Sequence, residues 1–521
     1  MRFSRSVRSS RHCLPSPNGR FIATLFPSVI NIREVKTLDV VKIIRLAADL
    51  SGPVYGFQWS PSSRLILVAV GDQIQVVSAD DGTFEATIRN AVPPTAKPSS
   101  IGFAASDAEV WVCSSLGLKL TVFNLKTCKG VEISNPKFFT SGTASNGFSL
   151  RPVTNHLAIM TRTAGKDMIS IHEPATRQVQ RSWYPDTVDA QGLRWSPDGR
   201  WLVVWESDGQ GHKVIFYTAD GNTFKIWNGP ANPPPEYKDY PLGAGVKLIQ
   251  FSADARHLAI GDHSRGVCIL DMTSINETMR LLHPTTVVPR ETVQIWQEQV
   301  SVVHTGPSIH TFIRAGQTIS PQGQTSKDDS DLKTGIASMS FDGSSDLVAT
   351  RLDDAPSTVW IWDIQASELR AVLLFHSGVQ SASWHPTLRE TLLVRCDGGL
   401  YDGVVFVWDP LSEGPRTIDF TSHLPGQKVV GRSQAMWLHV DESETPSLFF
   451  SDEQNYVLAS VGQSDQGVHY WEGRSGVKPH REESPLELVP AAAGSADPYL
   501  NEEEDDDDDV SELEDTFLHK H

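Results

Sequence analysis

The sequence predicts an all-β protein, folded as a β-propeller of about nine repeat units. An apolar, strand-like segment recurs eight times at intervals of 44 to 53 residues, apart from one interval of 92, which is twice 46. A short turn of the Ser-Pro-Asp-Gly type precedes these strands. One repeat of this length cannot bury both faces of its sheet, so stacked four-stranded units are expected. The recurring strands end at Glu34, Ser78, Asn124, Glu173, Thr218, Asp271, Asp363 and Asp409.

The turn marks the start of a unit. It is clearest in residues 195–202, where a tryptophan is followed by Ser-Pro-Asp-Gly, and it is echoed at Ser16, Trp59, Phe251 and Trp384. Gly, Asn and Asp supply the positive φ angles that tight hairpins need. Each turn is therefore expected to join two antiparallel strands.

The recurring strand is clearest in residues 359–363, with the sequence Val-Trp-Ile-Trp-Asp. Side chains alternate across a strand, so Val359 and Ile361 share one face, and Trp360 and Trp362 share the other. A strand that is apolar on both faces is predicted to lie between stacked blades. The Trp-Asp ending and a period of about 40 to 45 residues are typical of WD-type blades. The residues predicted to support the repeats are Trp59, Trp195, Trp360, Trp362, Asp363, Trp384, Trp408 and Asp409.

A ninth unit is predicted near the end of the chain, from apolar segments at 448–450 and 456–459 and a strand at 468–472. We expect the units to close as a single large ring; the alternative is two propellers joined near residue 285. The double interval contains a further apolar segment at 293–296. It is predicted to be an outer strand of the sixth unit, the alternative being a remnant of a further blade.

The amino terminus allows two interpretations. Arg2, Arg5, Arg8 and Arg11 lie among serines without an acidic residue, a composition that resembles a mitochondrial transit peptide. The alternative, which we favour, is that residues 3–7 form a short strand that completes the last blade. Ring closure of this kind removes an exposed sheet edge.

The predicted domains are a WD-repeat propeller over residues 1–475, with a low-complexity insertion at about 300–335, and a disordered linker with an acidic carboxy-terminal tail over residues 476–521. Residues 306–333 are rich in Ser, Thr, Gln, Gly and Asp, which predicts a mobile surface loop. The tail contains eight consecutive carboxylates at 502–509. Their mutual repulsion favours an extended, solvated chain.

Composition bounds the classes of partner. Residues 500–521, with eleven acids and one lysine, carry most of the formal net charge of −18. The body is mildly acidic, which disfavours a nucleic-acid partner because phosphate recognition relies on clustered Lys and Arg. No apolar run approaches the roughly 20 residues that span a bilayer, so no membrane segment is predicted. The five widely spread cysteines predict buried, reduced thiols.

The sequence contains no recognised catalytic motif. It has no Gly-x-Ser-x-Gly elbow, Walker loop, Gly-x-Gly-x-x-Gly fingerprint or His-Glu-x-x-His pair, and its 17 histidines include no pair at metal-ligand spacing beside a cysteine. His376 precedes the first strand of a repeat, where WD proteins often carry a structural histidine. We therefore predict no catalytic residue, no metal and no cofactor, and a chain that is not an enzyme.

One segment carries a more specific resemblance. Residues 347–356 read Leu-Val-Ala-Thr-Arg-Leu-Asp-Asp-Ala-Pro and are followed by the strand at 359–365 and by Ala-Val-Leu at 371–373. This segment is similar to the seventh repeat of the WD-repeat family found at centrosomes and fungal spindle pole bodies, the WRAP or "WD-repeat protein eight" type. His283-Pro284 also matches. The resemblance covers roughly residues 1–472.

The resemblance implies a non-enzymatic scaffold in the cytoplasm, at the cytoskeleton's microtubule organising centre. It implies pairing with a coiled-coil microtubule-anchoring protein, and with a minus-end-directed kinesin of the fourteen class, to tether microtubule minus ends and support spindle organisation. Arg351 lies in the matching segment and is the candidate partner contact; the alternative for it is an ion pair with Asp353 or Asp363. The alternative function is a propeller scaffold in translation initiation or another cytosolic assembly.

Overall fold

The computed structural model describes residues 1–47, 52–80, 85–89, 100–104, 106–114, 118–137, 147–231, 244–301, 308–321, 335–388, 390–439, 445–462 and 471. The chain divides into two compact units, Met1–Gly473 and Arg474–His521, and no residue of the second unit is described. Among the described residues, no helix has the length and apolarity needed to cross a membrane.

The described strands form nine sheets, the blades of the propeller. Two short strands, β1 (Arg2–Phe3) and β2 (Val7–Arg8), precede the first blade. Blades one to five contain the strands β3–β6 (Cys13–Pro15, Phe21–Leu25, Val29–Glu34, Val40–Arg45), β7–β10 (Val54–Trp59, Leu65–Val70, Gln73–Ser78, Glu85–Ile88), β11–β14 (Ser100–Phe103, Glu109–Cys113, Lys119–Asn124, Lys129–Ser134), β15–β18 (Phe148–Leu150, Leu157–Thr163, Lys166–His172, Val179–Trp183) and β19–β22 (Ala190–Trp195, Trp201–Glu206, Val214–Thr218, Thr223–Trp227).

Blade seven carries two extra strands, blades six and eight have four strands each, and blade nine has three strands from this part of the chain. Blades six to nine contain β23–β26 (Val246–Phe251, His257–Asp262, Gly266–Asp271, Asn276–Leu282), β27–β32 (Gln294–Ser301, Ile309–Arg314, Ile336–Phe341, Leu347–Leu352, Thr358–Asp363, Glu368–Leu374), β33–β36 (Val379–Trp384, Leu392–Cys396, Val404–Trp408, Arg416–Asp419) and β37–β39 (Gln434–Trp437, Ser447–Ser451, Asn455–Ser460). Short 3-10 helices lie at Asp208–Gln210, Gly399–Tyr401, Thr421–His423 and Pro425–Gln427.

Apart from the two extra strands of blade seven and the amino-terminal strands of blade nine, the blades are antiparallel sheets whose strands run outward in chain order. The first strands of neighbouring blades approach one another, as β15 and β19 do, so these strands are innermost. Most third strands are largely buried on both faces, as the periodic pattern predicts: Val404–Trp408 is buried at every residue, whereas Lys119–Asn124 is buried at only two positions. Six of the eight predicted strand ends coincide with the ends of third strands, and the other two are displaced by one residue, at His172 and Trp408.

The last blade is completed by the amino terminus. Both β1 and β2 pair antiparallel with β39, placing Phe3 opposite Ala459 and Val7 opposite Tyr456. The strand predicted at 3–7 is thus confirmed as the closing element, although it is split into two short pieces. These pieces cover the outer edge of the ninth blade, so this sheet edge is not left exposed.

The nine blades form one ring. The amide of Gln434 in blade nine donates to the carbonyl of Cys13 in blade one at 2.6 Å, which ties the ends of the ring together. Blades six and seven, on either side of residue 285, share an apolar cluster that includes Ile269 and Val348. The single ring is confirmed, and the alternative of two propellers joined near residue 285 is wrong, because this cluster is continuous across the proposed junction.

The segment at 293–296 belongs to a different blade from the predicted one. It begins β27, which pairs in parallel with β32, so it extends the outer edge of blade seven. The outer position of blade six is already filled by β26, which leaves no edge there for it. Ile295 and Trp296 are buried against blade seven and its neighbours. Both the prediction of a sixth-blade strand and its alternative, a remnant of a further blade, are wrong.

The loop predicted at 306–333 contains a strand in its described part. β28 pairs with β27, and its side chains alternate: His310 is buried, whereas Ile309 and Ile313 are exposed. Composition concealed this strand because its pattern is short and half polar. Residues 322–333 lie outside the described residues. So does the predicted strand at 468–472, apart from Trp471, which is helical.

Candidate interaction surface

The ring has two faces that carry different connections. One face, which we call the turn face, carries the turns between the first and second strands and between the third and fourth strands of each blade. The loop face carries the connections between second and third strands and those from one blade to the next. This follows from four antiparallel strands in chain order, since each strand reverses direction.

Serine side chains fix the turns on the turn face. In blade five the hydroxyl of Ser196 donates to Asp198 at 2.5 Å and accepts the backbone N–H of Trp201 at 3.0 Å. Asp198 also accepts the N–H of Arg200 at 3.0 Å. The same bonds occur around Ser16 with Asn18 in place of the aspartate. A side chain that satisfies turn amides makes the turn rigid.

Tryptophans at the ends of inner strands join neighbouring blades. The indole N–H of Trp59 donates to the carbonyl of Leu14 in blade one at 3.0 Å. Trp384 donates to Ser340 in blade seven at 3.0 Å in the same manner. Trp195 occupies the equivalent position in blade five and is buried, but its indole N–H has no partner. Three of the predicted repeat residues thus share one position, and one of them lacks its bond.

The predicted residues of the third strands lie inside blades or at their ends. Val359 and Ile361 pack toward blade eight, whereas Trp360 and Trp362 pack toward blade six, which matches the predicted division of faces. Asp363 ends β31 and accepts the N–H of Ala366 at 2.8 Å.

The corresponding positions of blade eight are Trp408 and Asp409. Trp408 is fully buried. Asp409 accepts the N–H of Leu411 at 3.1 Å and lies 3.5 Å from the guanidinium of Arg416. Both aspartates therefore fix turns in the structure.

Ion pairs tie the blades together at the loop face. The ammonium group of Lys137 lies 3.0 Å from Asp167 and 2.7 Å from Asp189, which belong to neighbouring blades. Lys247 of blade six pairs with Asp353 of blade seven, and Arg265 pairs with Asp354. These pairs hold the loop after β30 in place from the side of blade six. Partly buried pairs with several partners limit side-chain motion more than isolated surface pairs do.

Arg351 is available on this surface. It lies near the end of β30, is partly exposed, and shares the side of the strand that faces blade eight with Leu347 and Ala349. Asp353 pairs with Lys247 instead, and no ion pair of Arg351 is recorded among the described residues. The ion pair considered as the alternative for Arg351 is therefore wrong.

The remaining chemistry is sparse within the described residues. They contain no group of three or more His, Cys, Asp and Glu side chains that could hold a metal ion. Cys13, Cys113, Cys268 and Cys396 are buried, and burial raises the pKa of Cys13 to about 11. Cys128 is exposed, so the prediction of buried thiols is wrong there. It occupies a turn with a φ of 56° between β13 and β14.

Comparison with known proteins places this ring among WD-repeat proteins. The mouse (Mus musculus) WD repeat-containing protein WRAP73 is 26% identical over 439 residues, which cover 79% of this chain and 87% of that protein. An uncharacterized WD repeat-containing protein of Schizosaccharomyces pombe is 23% identical, over 88% of this chain and 90% of its own. The chain is therefore similar to WD-repeat proteins, among them the WRAP type. No protein-family model matches the sequence.

A solved structure also aligns with this chain. It is a crystal structure of a eukaryotic initiation factor, which is 11% identical and covers 79% of this chain and 88% of its own, with a TM-score of 0.49.

The ring contains a buried histidine network that the sequence did not reveal. His283 is buried, and its Nδ1–H donates to the carbonyl of Arg265 at 2.7 Å. Its Nε2 accepts from the hydroxyl of Thr350 at 2.7 Å, which in turn accepts the indole N–H of Trp362 at 3.0 Å. Burial lowers the pKa of His283 to about 4, so its imidazole is neutral at pH 7. The network joins blade seven to the end of blade six.

A second buried network anchors the extra strands of blade seven to blade eight. The carboxylate of Glu298 accepts from Nδ1 of His310 at 2.6 Å, from the hydroxyl of Tyr401 at 2.9 Å and from the backbone N–H of His376 at 2.7 Å. Burial and the charge of Glu298 raise the pKa of Tyr401 well above its usual value. His376 thus contributes its backbone here, and His283 holds the place of a structural histidine in blade seven.

Proposed function

We propose that this WRAP-type propeller is a non-enzymatic scaffold at the microtubule organising centre. It pairs there with a coiled-coil microtubule-anchoring protein, and a minus-end-directed kinesin of the fourteen class joins the assembly. The complex tethers microtubule minus ends and supports spindle organisation. The observation that carries the proposal is the similarity to WRAP73 across 79% of the chain, together with the family-like segment at 347–373.

The ring has the physical properties that a scaffold needs. Its blades are joined by buried indole bonds on the turn face and by ion pairs on the loop face. A partner that binds one face would need a standard protein interface, which buries about 1,600 Å² in total. A rigid surface loses little conformational entropy on binding, so more of the contact energy becomes affinity.

Arg351 is the contact that we propose for the coiled-coil partner. Its guanidinium is partly exposed, and the adjacent loop is held by the pairs of Asp353 and Asp354. Coiled coils carry glutamates at the positions that flank their apolar seam. A carboxylate there can accept two parallel hydrogen bonds from one arginine, which gives both strength and a fixed orientation.

The function is tested by purifying the tagged protein from mitotic cells of its own source, with mass spectrometry of the bound proteins and imaging of the tag. Recovery of a coiled-coil anchoring protein and a kinesin, with signal at spindle poles, is the expected result. Ribosomal proteins or initiation factors with diffuse signal would overturn the proposal in favour of translation initiation. Recovery of another stable cytosolic assembly would also overturn it.

Reversing the charge at Arg351 is expected to release the partner without unfolding the ring. Arg351→Glu should lower recovery of the coiled-coil protein at least about tenfold, because a carboxylate of the partner would then face a like charge. Arg314→Glu is the matched control, since Arg314 is exposed on β28 and lies outside the proposed contact. Quantitative mass spectrometry measures recovery, and thermal denaturation checks folding. Equal recovery with both variants would exclude Arg351 as the contact.

A further inference from the structure

We propose that a cavity on the turn face, between blades four and five, binds an acidic side chain of a peptide. The cavity has a volume of about 350 Å³, and Arg151, His156, Arg181 and Trp195 are among the residues that line it. A volume of this size can enclose a ligand group or a few side chains. The inference stands on this cavity alone and does not depend on the organising-centre role.

Trp195 gives the first indication of a ligand. The equivalent indoles of Trp59 and Trp384 donate to the preceding blade, whereas the indole N–H of Trp195 is buried without a partner. The side chain is only 4% exposed. The guanidinium of Arg151 lies 5.3 Å from the centre of the Trp195 ring, on the cavity side. Other buried indoles of the ring also lack an acceptor, but Trp195 is the one among them that lines this cavity, where a ligand atom can supply it.

His156 gives a second indication in the same cavity. Its Nδ1 atom is also buried without a hydrogen-bond partner. An indole N–H can only donate, and the imidazole nitrogen donates in one of its tautomers. An acceptor in the cavity can satisfy the indole N–H, and it can also satisfy the imidazole when Nδ1 carries the proton. Carboxylate and phosphate oxygens are acceptors of this kind.

The charges around the cavity favour an anion. Arg151 uses Nε to donate to the carbonyl of Gly199 at 2.8 Å, an orientation that holds its guanidinium at the cavity. Arg181 is exposed on β18, and no ion pair of it is recorded among the described residues. Asp220 on the rim opposes one of these two positive charges, which leaves an excess of one.

The wall of the cavity adds an apolar component. Ile171 is buried and lines the cavity opposite Arg181 in the register of β17 and β18. The aliphatic stem of a glutamate, or the short stem of a phosphorylated serine, can pack against it while the charged end reaches the two guanidinium groups. A free inorganic anion would leave this surface uncovered. The geometry therefore suits an anion that is carried on a peptide side chain.

The test measures binding of a fluorescein-labelled peptide of eight glutamates to the full-length protein by fluorescence anisotropy. An equally long glutamine peptide is the control for charge, and a phosphoserine peptide is used as a competitor to separate the two sources of the anion. The glutamate peptide is expected to bind at least about tenfold more tightly than the glutamine peptide. Equal affinities for the two peptides, or no binding of either acidic peptide, would overturn the proposal.

Substitutions locate the binding to this cavity. Arg151→Gln is expected to weaken binding of the acidic peptide at least about tenfold, and Arg181→Gln several-fold, because each removes a charge-assisted hydrogen bond. Arg20→Gln is the matched control, an exposed arginine in the turn of blade one on the same face. If Arg151→Gln fails to fold in thermal denaturation, Arg181→Gln decides. Binding unchanged by the cavity substitutions, or weakened equally by the control, would contradict the assignment.

Discussion

Replacing Arg177 by methionine is expected to lower the free energy of unfolding by about 3–5 kcal/mol, because it leaves the buried carboxylate of Glu109 without its counter-charge. The two side chains are 4% and 6% exposed. Arg177 donates from Nε to Glu109 at 3.1 Å and forms a second bond from Nη2, so the contact is bidentate. Its Nη1 also donates to the carbonyl of Asn155 at 2.7 Å. Urea denaturation followed by tryptophan fluorescence measures the loss.

Two further variants separate charge from packing. The double variant Glu109→Leu with Arg177→Met removes both charges and should recover most of the lost stability, because apolar pairs replace buried ion pairs at little cost. Arg181→Met controls for the substitution itself and should change stability by less than about 0.5 kcal/mol, since Arg181 is exposed. A double variant as unstable as Arg177→Met would show that the space left by the smaller side chain, and not the unpaired charge, causes the loss of stability.

The Glu109–Arg177 pair also shows what the sequence could and could not predict. The partners are 68 residues apart, in blades three and four, and neither belongs to the repeated motif. The repeat itself was readable because each unit must present two apolar faces at a regular interval. Third strands and serine turns follow from that local pattern, and they appear at the predicted places. Contacts between blades depend on how the strands of neighbouring blades are aligned, which the sequence alone does not show.

The region between blades six and eight was the hardest to predict, for two physical reasons. His283 is separated from β30, which carries Thr350, by the segment that contains β27, β28 and β29, so their link is not visible as a motif. β27 joins blade seven in parallel, a pairing that follows from which sheet edge is open and not from its own composition. The low-complexity composition after it concealed β28, whose Phe312 packs against Phe375 and Phe406.

The candidate site divides in the same way. Arg351 was found from the resemblance, and the structure leaves it unpaired among the described residues. The cavity beside Trp195 was not predicted, because Arg151, Arg181 and Trp195 come from three strands or turns of two blades. A sequence signal existed only for Trp195, as a repeat tryptophan, and that pattern predicts a bond between blades and not an open donor. The difference between Trp195 and the other repeat tryptophans arises from the residues that surround it.

Acidification from pH 6.5 to pH 4 is expected to lower the free energy of unfolding of the propeller by about 3 kcal/mol for each of two buried histidines. Burial lowers the pKa of His283 to about 4, and burial together with the charge of His439 lowers that of His385 to about 4. The unfolded chain, with a histidine pKa of 6.5, binds more protons than the folded ring in this window. Stability is therefore complete above pH 6.5 and falls as the pH falls toward 4.

The structure shows why the imidazoles of both histidines resist protonation. Nδ1 of His385 accepts the backbone N–H groups of Thr387 at 3.2 Å and Leu388 at 2.9 Å, and a proton on that nitrogen would break both bonds. His283 uses Nε2 as an acceptor from Thr350, with the same consequence. Urea midpoints at pH 7, 6, 5 and 4 measure the effect. A midpoint that is constant down to pH 4 and falls only below it would assign the acid loss to carboxylates.

His385 offers a substitution that removes the proton while keeping the turn. It stands in Trp-His-Pro where blade five has Trp-Ser-Pro, and its imidazole accepts turn amides as the hydroxyl of Ser196 does. His385→Ser should therefore keep most stability at pH 7 and remove about half of the loss between pH 6.5 and 4. His263→Ser, at a partly exposed histidine, is the control for the substitution itself. A profile unaffected by His385→Ser would mean that this turn histidine is not what makes the ring sensitive to acid.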